Sequence, residues 1–265
     1  NYDDRAASAG TVYIRYSNQE YGNLFIDDNV ASSTAVTSTP LVHIGFGSIT
    51  DITDQDLDTY DDTITTDSMV SLLPGGLAGL RINPDISQAE TFVILANTAS
   101  AITLVTPNEN GAYLADIADI GDTYAGLYLF DNMTFRRGGN LVIGDMLDVR
   151  DTMTIAENGL LTHFNASTTF VSMLDLTAGN LIIEAGSSID VTGRGYIGGR
   201  GYNERGRTID NAYGSYAGAG GSYGGLGGSY NGAVPGSLYG SVDSPCDLGS
   251  GGGSYSYTIG GDGGG

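Results

Sequence analysis

The 265-residue chain has no lysine and no tryptophan, one cysteine and two histidines. Without lysine there is no amine for Schiff-base chemistry and no phosphate-loop cation, so both are excluded. Cys246 has no internal disulfide partner, and together with only His43 and His163 it cannot assemble a Cys/His zinc site. Long apolar runs are missing too: stretches such as Phe92–Leu95 and Leu181–Ile183 fall far short of the ~20 residues that cross a bilayer. Helical signals are scarce. No stretch keeps apolar residues at helical spacing over several turns without Gly, Pro or a β-branched interruption.

What the chain does have is acid and glycine. Ten basic residues, all arginine, stand against 31 acidic ones, for a net charge of −21. So negative a field argues against nucleic acid or an anionic membrane as a partner. Gly is 42 of the residues, about twice the usual ~7%. The start Asn1-Tyr2-Asp3-Asp4 lacks the basic character of a signal peptide and reads as a processed or excised piece.

Short β-branched and aromatic runs recur, among them Thr11–Tyr16, Thr91–Leu95, Ala101–Val105 and Met153–Ile155, each closed by Asn, Gly, Asp or Pro. One phrase occurs three times: Gly22-Asn23-Leu24-Phe25-Ile26, Gly139-Asn140-Leu141-Val142-Ile143 and Gly179-Asn180-Leu181-Ile182-Ile183. Gly-Asn suits a positive-φ corner, and Leu-x-Ile then turns two apolar residues to one face. Between the later copies, strand-like runs at Met146–Val149, Met153–Ile155, Leu160–Phe164 and Phe170–Leu176 give coils of ~20 residues. The expected fold is all-β: a parallel β-solenoid with an inserted small antiparallel β module and a Gly/Tyr-rich extended C-terminal segment. An antiparallel sandwich is the competing reading. The divisions are 1–44 for solenoid strands, 45–127 for the insertion, 128–192 for solenoid coils and 193–265 for the Gly/Tyr-rich segment. That last segment repeats Gly-Ser-Tyr at Gly214, Gly221, Gly228 and Gly253. It reads either as a flexible tail or as an ordered layer in which Gly permits close backbone approach and Tyr supplies stacking.

Chemistry-bearing motifs are thin. Gly193-Arg194-Gly195-Tyr196-Ile197-Gly198 matches the dinucleotide string but is followed by glycines that cannot begin the required helix. Asp54, Asp56, Asp58 and Asp62 place oxygen ligands as a calcium loop would, yet Thr59 and Thr65 stand where an EF-hand needs Gly and Glu. Calcium is the one cofactor the sequence leaves open; a solvated acidic loop is the plainer reading. His43 and His163 lie in separate apolar runs, no Gly-x-Ser-x-Gly elbow occurs, and acid pairs such as Asp145 with Asp148 or Glu184 with Asp190 are expected by chance among so many acids. No enzyme is expected. Asn132-Met133-Thr134 and Asn165-Ala166-Ser167 fit N-glycosylation acceptors.

Four phrases taken together, Tyr21–Asn29, Gly76–Pro84, Ser188–Gly199 and Gly221–Gly228 followed by Leu248–Gly253, resemble one repeat unit of the very large, glycine-rich, solenoid-like surface proteins of bacteria. The resemblance implies an extracellular or cell-surface location and a structural or adhesive role, and it carries no catalytic residue. The expectation is a non-enzymatic module that self-associates head to tail into a fibre, sheath or adhesive array, with Tyr216, Tyr223 and Tyr230 packing at the junction or along the side. A glycan- or surface-binding adhesin segment is the alternative, and a polysaccharide-cleaving β-helix a more distant one. No nucleic acid and no membrane insertion are expected.

Overall fold

The computed structural model describes residues 10–28, 38–53, 61–67 and 72–265. Helix among them is confined to two short 3-10 turns, Leu114–Asp116 and Ile209–Asn211, so the chain is nearly all β. It divides into two compact units, Asn1–Leu161 with Asp175–Ser188, and Thr162–Leu174 with Ile189–Gly265. Fourteen strands start in the first: β1 Gly10–Ile14, β2 Asn23–Asp27, β3 Thr39–Pro40, β4 Phe46–Thr53, β5 Thr63–Thr66, β6 Arg81–Asn83, β7 Phe92–Asn97, β8 Ala101–Leu104, β9 Thr123–Arg136, β10 Asn140–Ile143, β11 Met146–Ile155, β12 Leu160–His163, β13 Leu176–Ile183 and β14 Ser188–Ile189. The second unit adds β15 Arg207–Thr208 and β16 Ala212–Tyr213.

Within the first unit, β2, β9, β11 and β13 pair in parallel. Their register aligns Asn23, Asn132, Thr152 and Asn180 in one row, Leu24, Met133, Met153 and Leu181 in a second, and Ile26, Phe135, Ile155 and Ile183 in a third. The Asn132 amide donates to the Asn23 carbonyl oxygen at 3.0 Å, so the polar row is tied along the stack. Leu24, Met133, Met153, Ile26, Phe135 and Ile155 are all buried. Each such side chain contributes about 1.5–3 kcal/mol through burial. Between these strands the chain visits a second ladder, in the order β14-β12-β10-β3, with β10 parallel to β3. The Leu160 amide donates to the Gly139 carbonyl (2.9 Å) and the Ser188 amide to the Gly159 carbonyl (3.0 Å).

The main sheet is mixed, with the parallel strands and antiparallel ones in a single sheet. β1 closes over β2 in antiparallel register, and the inserted strands join β9 from the other direction. In the insertion, β4, β5, β8, β7 and β6 pair antiparallel in that order, and both β4 and β6 return to the N-terminal half of β9. Alternation explains these strands: Ile64, Thr66, Ile102 and Leu104 point inward while their neighbours do not. The insertion's core joins Ile44, Ile49, Ile64, Leu77, Ile82, Phe92, Ile94, Ile102, Leu104 and Tyr124. β9 then runs without a break from Thr123 to Arg136, so the expected boundary at 127 falls inside a strand that serves both the insertion and the parallel stack.

The three Gly-Asn copies behave differently. The first and third lie in the parallel stack and the second in the other ladder, as part of β2, β13 and β10 respectively. Gly22 has the expected positive φ of 76°. Gly139 and Gly179 are not in that region, and a methyl on them would fall on the carbonyls of Ile26 and Arg150. Close approach between neighbouring turns of chain therefore requires glycine at those two positions, where sequence reasoning had invoked a corner. The run Phe170–Leu176 is likewise not a strand; β13 starts only at Leu176.

The second unit is held together almost without ladders. Backbone amides donate to carbonyls of segments distant in sequence: Gly195 to Gly263 (2.9 Å), Tyr196 to Gly249 (3.0 Å), Gly251 to Arg207 (2.9 Å) and Gly260 to Gly199 (2.9 Å). Segments this close leave no room for Cβ, the same steric reason that restricts the collagen axis to glycine. A methyl on Gly263 would overlap the Gly249 carbonyl, whereas one on Gly261 would meet nothing within 4 Å. Gly263→Ala is therefore expected to lower stability by about 1–3 kcal/mol or more, and Gly261→Ala to leave it within about 0.5 kcal/mol. Urea titration of the two variants checks this; equal midpoints would contradict the packing described.

Candidate functional site

The tyrosines expected at a junction or along the side already have partners inside the second unit. Tyr216 lies under the guanidinium of Arg205, 5.2 Å from its ring centroid. Tyr223 meets Tyr239 edge-on at 5.4 Å, and Tyr230 meets Tyr255 edge-on at 4.9 Å. Tyr216 and Tyr230 remain exposed, while Tyr223 is half-buried. The residue of the Gly-Ser-Tyr repeat that does most of the structural work is the serine, which sequence reasoning passed over. Ser215, Ser222 and Ser254 are buried. Their hydroxyls donate to the carbonyls of Gly220 (2.6 Å), Gly236 (2.8 Å) and Gly201 (2.6 Å), and Ser215 and Ser254 also accept amides from Gly236 and Glu204. The available signal was the repeat itself: a hydroxyl at fixed spacing among glycines can join backbones that have no side chains of their own. Ser229 of the third heptad is exposed and shows that the role is positional.

In the first unit, buried carboxylates act as acceptors for backbone amides at places where the chain changes direction. Asp145 accepts from Ile44 (2.9 Å) and Gly45 (2.6 Å), and its Oδ1 lies 3.0 Å from His43 Nδ1. Ile44 and Gly45 are where the chain enters the insertion. Gly126 fits against this group, since a Cβ there would come within 2.7 Å of the Asp145 carboxyl carbon. Asp131 accepts from Tyr21 (3.2 Å) and Gly22 (2.8 Å) at the first Gly-Asn corner in the same way. The His43–Asp145 contact has the look of half a catalytic pair, but both Asp145 oxygens are engaged by backbone amides, and this gives the contact a positioning role. His163 belongs to the other unit, where it is fully buried.

Of the calcium candidates, Asp54, Asp56 and Asp58 lie outside the described residues, and Asp62 is buried beside β5. Among the described residues no three His, Cys, Asp or Glu side chains converge as a metal would require. The dinucleotide-like string is absorbed into glycine packing: Gly195 and Gly198 sit against the backbones of Gly263–Gly264 and Gly260–Gly261. Of the glycosylation acceptors, Asn132 is engaged along the ladder with Asn23. Cys246 is exposed. No helix among the described residues is long and apolar enough to cross a membrane. The described residues form open grooves in each unit. One, of about 410 Å³ in the first unit, is lined by Tyr13, Tyr21, Tyr128, Phe130 and Arg81. Another, of about 540 Å³ in the second, is lined by Arg205, Tyr213, Tyr216, Val234 and Pro235. Comparison with protein families, with curated proteins and with solved structures finds no match for this chain.

Two predictions follow from the buried groups. An amide in place of the Asp145 carboxylate presents its NH2 to a backbone N–H, so Asp145→Asn is expected to cost about 1–3 kcal/mol; a urea midpoint unchanged from wild type would contradict the clamp. Burial pushes the His163 imidazole down to about 4, with the Arg194 guanidinium acting in the same direction. Between pH about 4 and 6.5 the unfolded chain then binds the extra proton. The contribution of this group is complete above pH 6.5 and declines as pH falls toward 4, by on the order of 3 kcal/mol in all. His163→Leu should flatten that part of the stability–pH curve, measured by denaturant titration at several pH values; an unaltered slope would refute the assignment.

Proposed function

We propose that this chain is a non-enzymatic structural module of an extracellular or cell-surface protein, in keeping with the resemblance to repeat units of giant glycine-rich bacterial surface proteins, and that copies join edge to edge. The parallel stack is read as coils of a β-solenoid whose chain alternates between two ladders. One observation carries the proposal. Across the stack the strand order is β1-β2-β9-β11-β13, so β1 and β13 are the outer strands among the described residues. Neither contains a single charged residue: β1 is Gly-Thr-Val-Tyr-Ile and β13 is Leu-Thr-Ala-Gly-Asn-Leu-Ile-Ile. Natural sheets protect an open edge with lysine, proline or an inward-pointing charge. This chain has no lysine, and none of its 31 acids stands on either edge. Leu181, Ile182 and Ile183 are 45–48% exposed, although Met153 and Ile155 in the same rows of the next strand are fully buried. A further strand laid on β13 would bury that row and satisfy its free backbone groups.

Tyr216, Tyr223 and Tyr230 have ring or guanidinium partners of their own, so the proposal shifts the weight of association from them to the strand edges. The charge of −21 opposes association at long range and keeps assembled material dispersed; screening by salt over a Debye length of about 10 Å or less favours joining.

The expected result is concentration-dependent growth of the full chain in sedimentation velocity, stronger near about 0.5 M salt, with elongated particles in negative-stain images. Ile182→Lys and Val12→Lys, each placing a charge on one outer strand, should keep the protein monomeric while circular dichroism shows an unchanged fold. A wild type that stays monomeric from micromolar to near-millimolar concentration at every ionic strength would overturn the proposal.

A further inference from the structure

The groove in the second unit is lined by one cation, Arg205, and by Tyr213, whose ring carries a second, Arg207. Of the described arginines, Arg81, Arg136, Arg137, Arg150 and Arg200 each have a carboxylate partner. Four have none among the described residues, Arg15, Arg194, Arg205 and Arg207, in a protein whose acids outnumber its bases 31 to 10, and of these Arg205 and Arg207 stand together. They sit two apart on one arm of a hairpin, where Arg207 pairs with Tyr213 and the Gly206 amide donates to the Ser215 carbonyl at 2.9 Å. Each guanidinium is held by a backbone carbonyl, Arg205 by Gly214 (2.9 Å) and Arg207 by Asn211 (3.0 Å). Each also lies over a tyrosine ring: Arg205 on Tyr216 at 5.2 Å and Arg207 on Tyr213 at 4.2 Å. The cations are thus positioned before any ligand arrives, which lowers the entropy lost on binding.

The rings remain accessible. Tyr213 is 65% and Tyr216 43% exposed, and both line the groove of about 540 Å³ opposite Val234 and Pro235. A tyrosine covered on one face by a guanidinium offers its other face to the C–H groups of a flat apolar surface, while unused N–H donors beside it address an anion. A saccharide ring bearing a carboxylate or sulfate combines those two features in one unit. We propose that this groove is a binding site for an anionic saccharide, with the acidic group on Arg205 and Arg207 and the sugar ring against Tyr213 and Tyr216. An acidic protein segment would pair with the arginines but has no need of two open rings. The groove in the first unit differs in carrying an acid of its own: Glu20 lines it and pairs with the Arg150 that caps Tyr21, Arg81 pairs with Glu109 (2.5 Å), and Arg15, also on the lining, donates to the Gln19 carbonyl (3.2 Å). The proposal does not depend on edge-to-edge association, which β1 and β13 carry without this hairpin.

The test is isothermal titration of the full chain with an oligogalacturonate, a sulfated galacto-oligosaccharide, a neutral galacto-oligosaccharide and a peptide of residues 51–62. Saturable binding of at least one anionic sugar with Kd below about 1 mM, weakened by salt, is expected, and the uronate and sulfate arms tell the two anions apart. Arg205→Ala, Arg207→Ala and Tyr213→Ala should each weaken it at least about tenfold, while Tyr213→Phe, which keeps the ring, should retain it. Arg205 and Tyr213 are exposed, and thermal melts of the variants verify folding. No saturable binding up to about 10 mM, equal binding of the neutral sugar, indifference to Arg205→Ala, or preference for the acidic peptide would each overturn the assignment.

Discussion

Every backbone N–H and C=O removed from water needs a partner, and in this protein helices do almost none of that work. The requirement is met between segments remote in sequence. In the first unit the partners are strands of a mixed sheet, parallel where β2, β9, β11 and β13 meet and antiparallel through β1 and the insertion. In the second unit glycine backbones approach so closely that a Cβ is excluded at Gly195, Gly206, Gly251 and Gly263. Both solutions depend on long-range contacts, so loop-closure entropy must be overcome before any of them stabilises the fold. The glycines lower the steric barrier to contact but increase the conformational entropy lost on ordering, and the buried serines offset part of that loss with additional hydrogen bonds.

Where ladders break, side chains stand in for backbone. Asp131 and Asp145 at the entries to corners, and Asp67 toward the Ser48 amide (3.0 Å), accept the hydrogen bonds that a neighbouring strand would otherwise take. Asp262 does the same for Gly198 (2.7 Å) in the second unit. The acidity of the chain therefore has two origins. Some carboxylates are internal acceptors, shielded and structural. Others are solvated and set the repulsive field around the molecule. A count of charges from composition merges these groups, although only the second would affect association between copies.

That merging marks the limit of what the sequence discloses. Strands such as Phe92–Asn97 and Ala101–Leu104 were legible because β-branched and apolar residues alternate with a period of two. The relation between the first and third Gly-Asn copies was legible as internal similarity, and the register confirms that Asn23 and Asn180 occupy one row. The long β9 was not, because its two halves belong to different neighbours: Tyr124 faces the core of the insertion, while Met133 and Phe135 face that of the stack. Nor could the string Leu77–Ile82 be recognised as a turn at Ala78–Gly79 that leads into a strand only at Arg81. Gly75 and Gly79 adopt positive φ there, and Asn97 accepts the Leu77 amide (3.1 Å) from a strand 20 residues away. Local pattern reports which residues want to be extended or buried; it does not report which distant backbone will be waiting for them. Arg205 and Arg207 were invisible for a related reason, since an uncompensated cation can be recognised only once the positions of the acids are known.

The same reasoning connects the two proposals while keeping them separable. An edge strand free of charge and a cation free of acid are both departures from the surrounding composition, and each departure has a cost in the isolated chain: exposed apolar area on β13, and guanidinium donors held in place on the hairpin. Selection for solubility alone would have placed one of the many aspartates on either feature, because a single carboxylate would blunt the edge or neutralise the arginine. Their absence from both places, in a chain this acidic, is most simply explained if something else covers them: a strand of another copy in one case, and a small anion carried on a flat ring in the other.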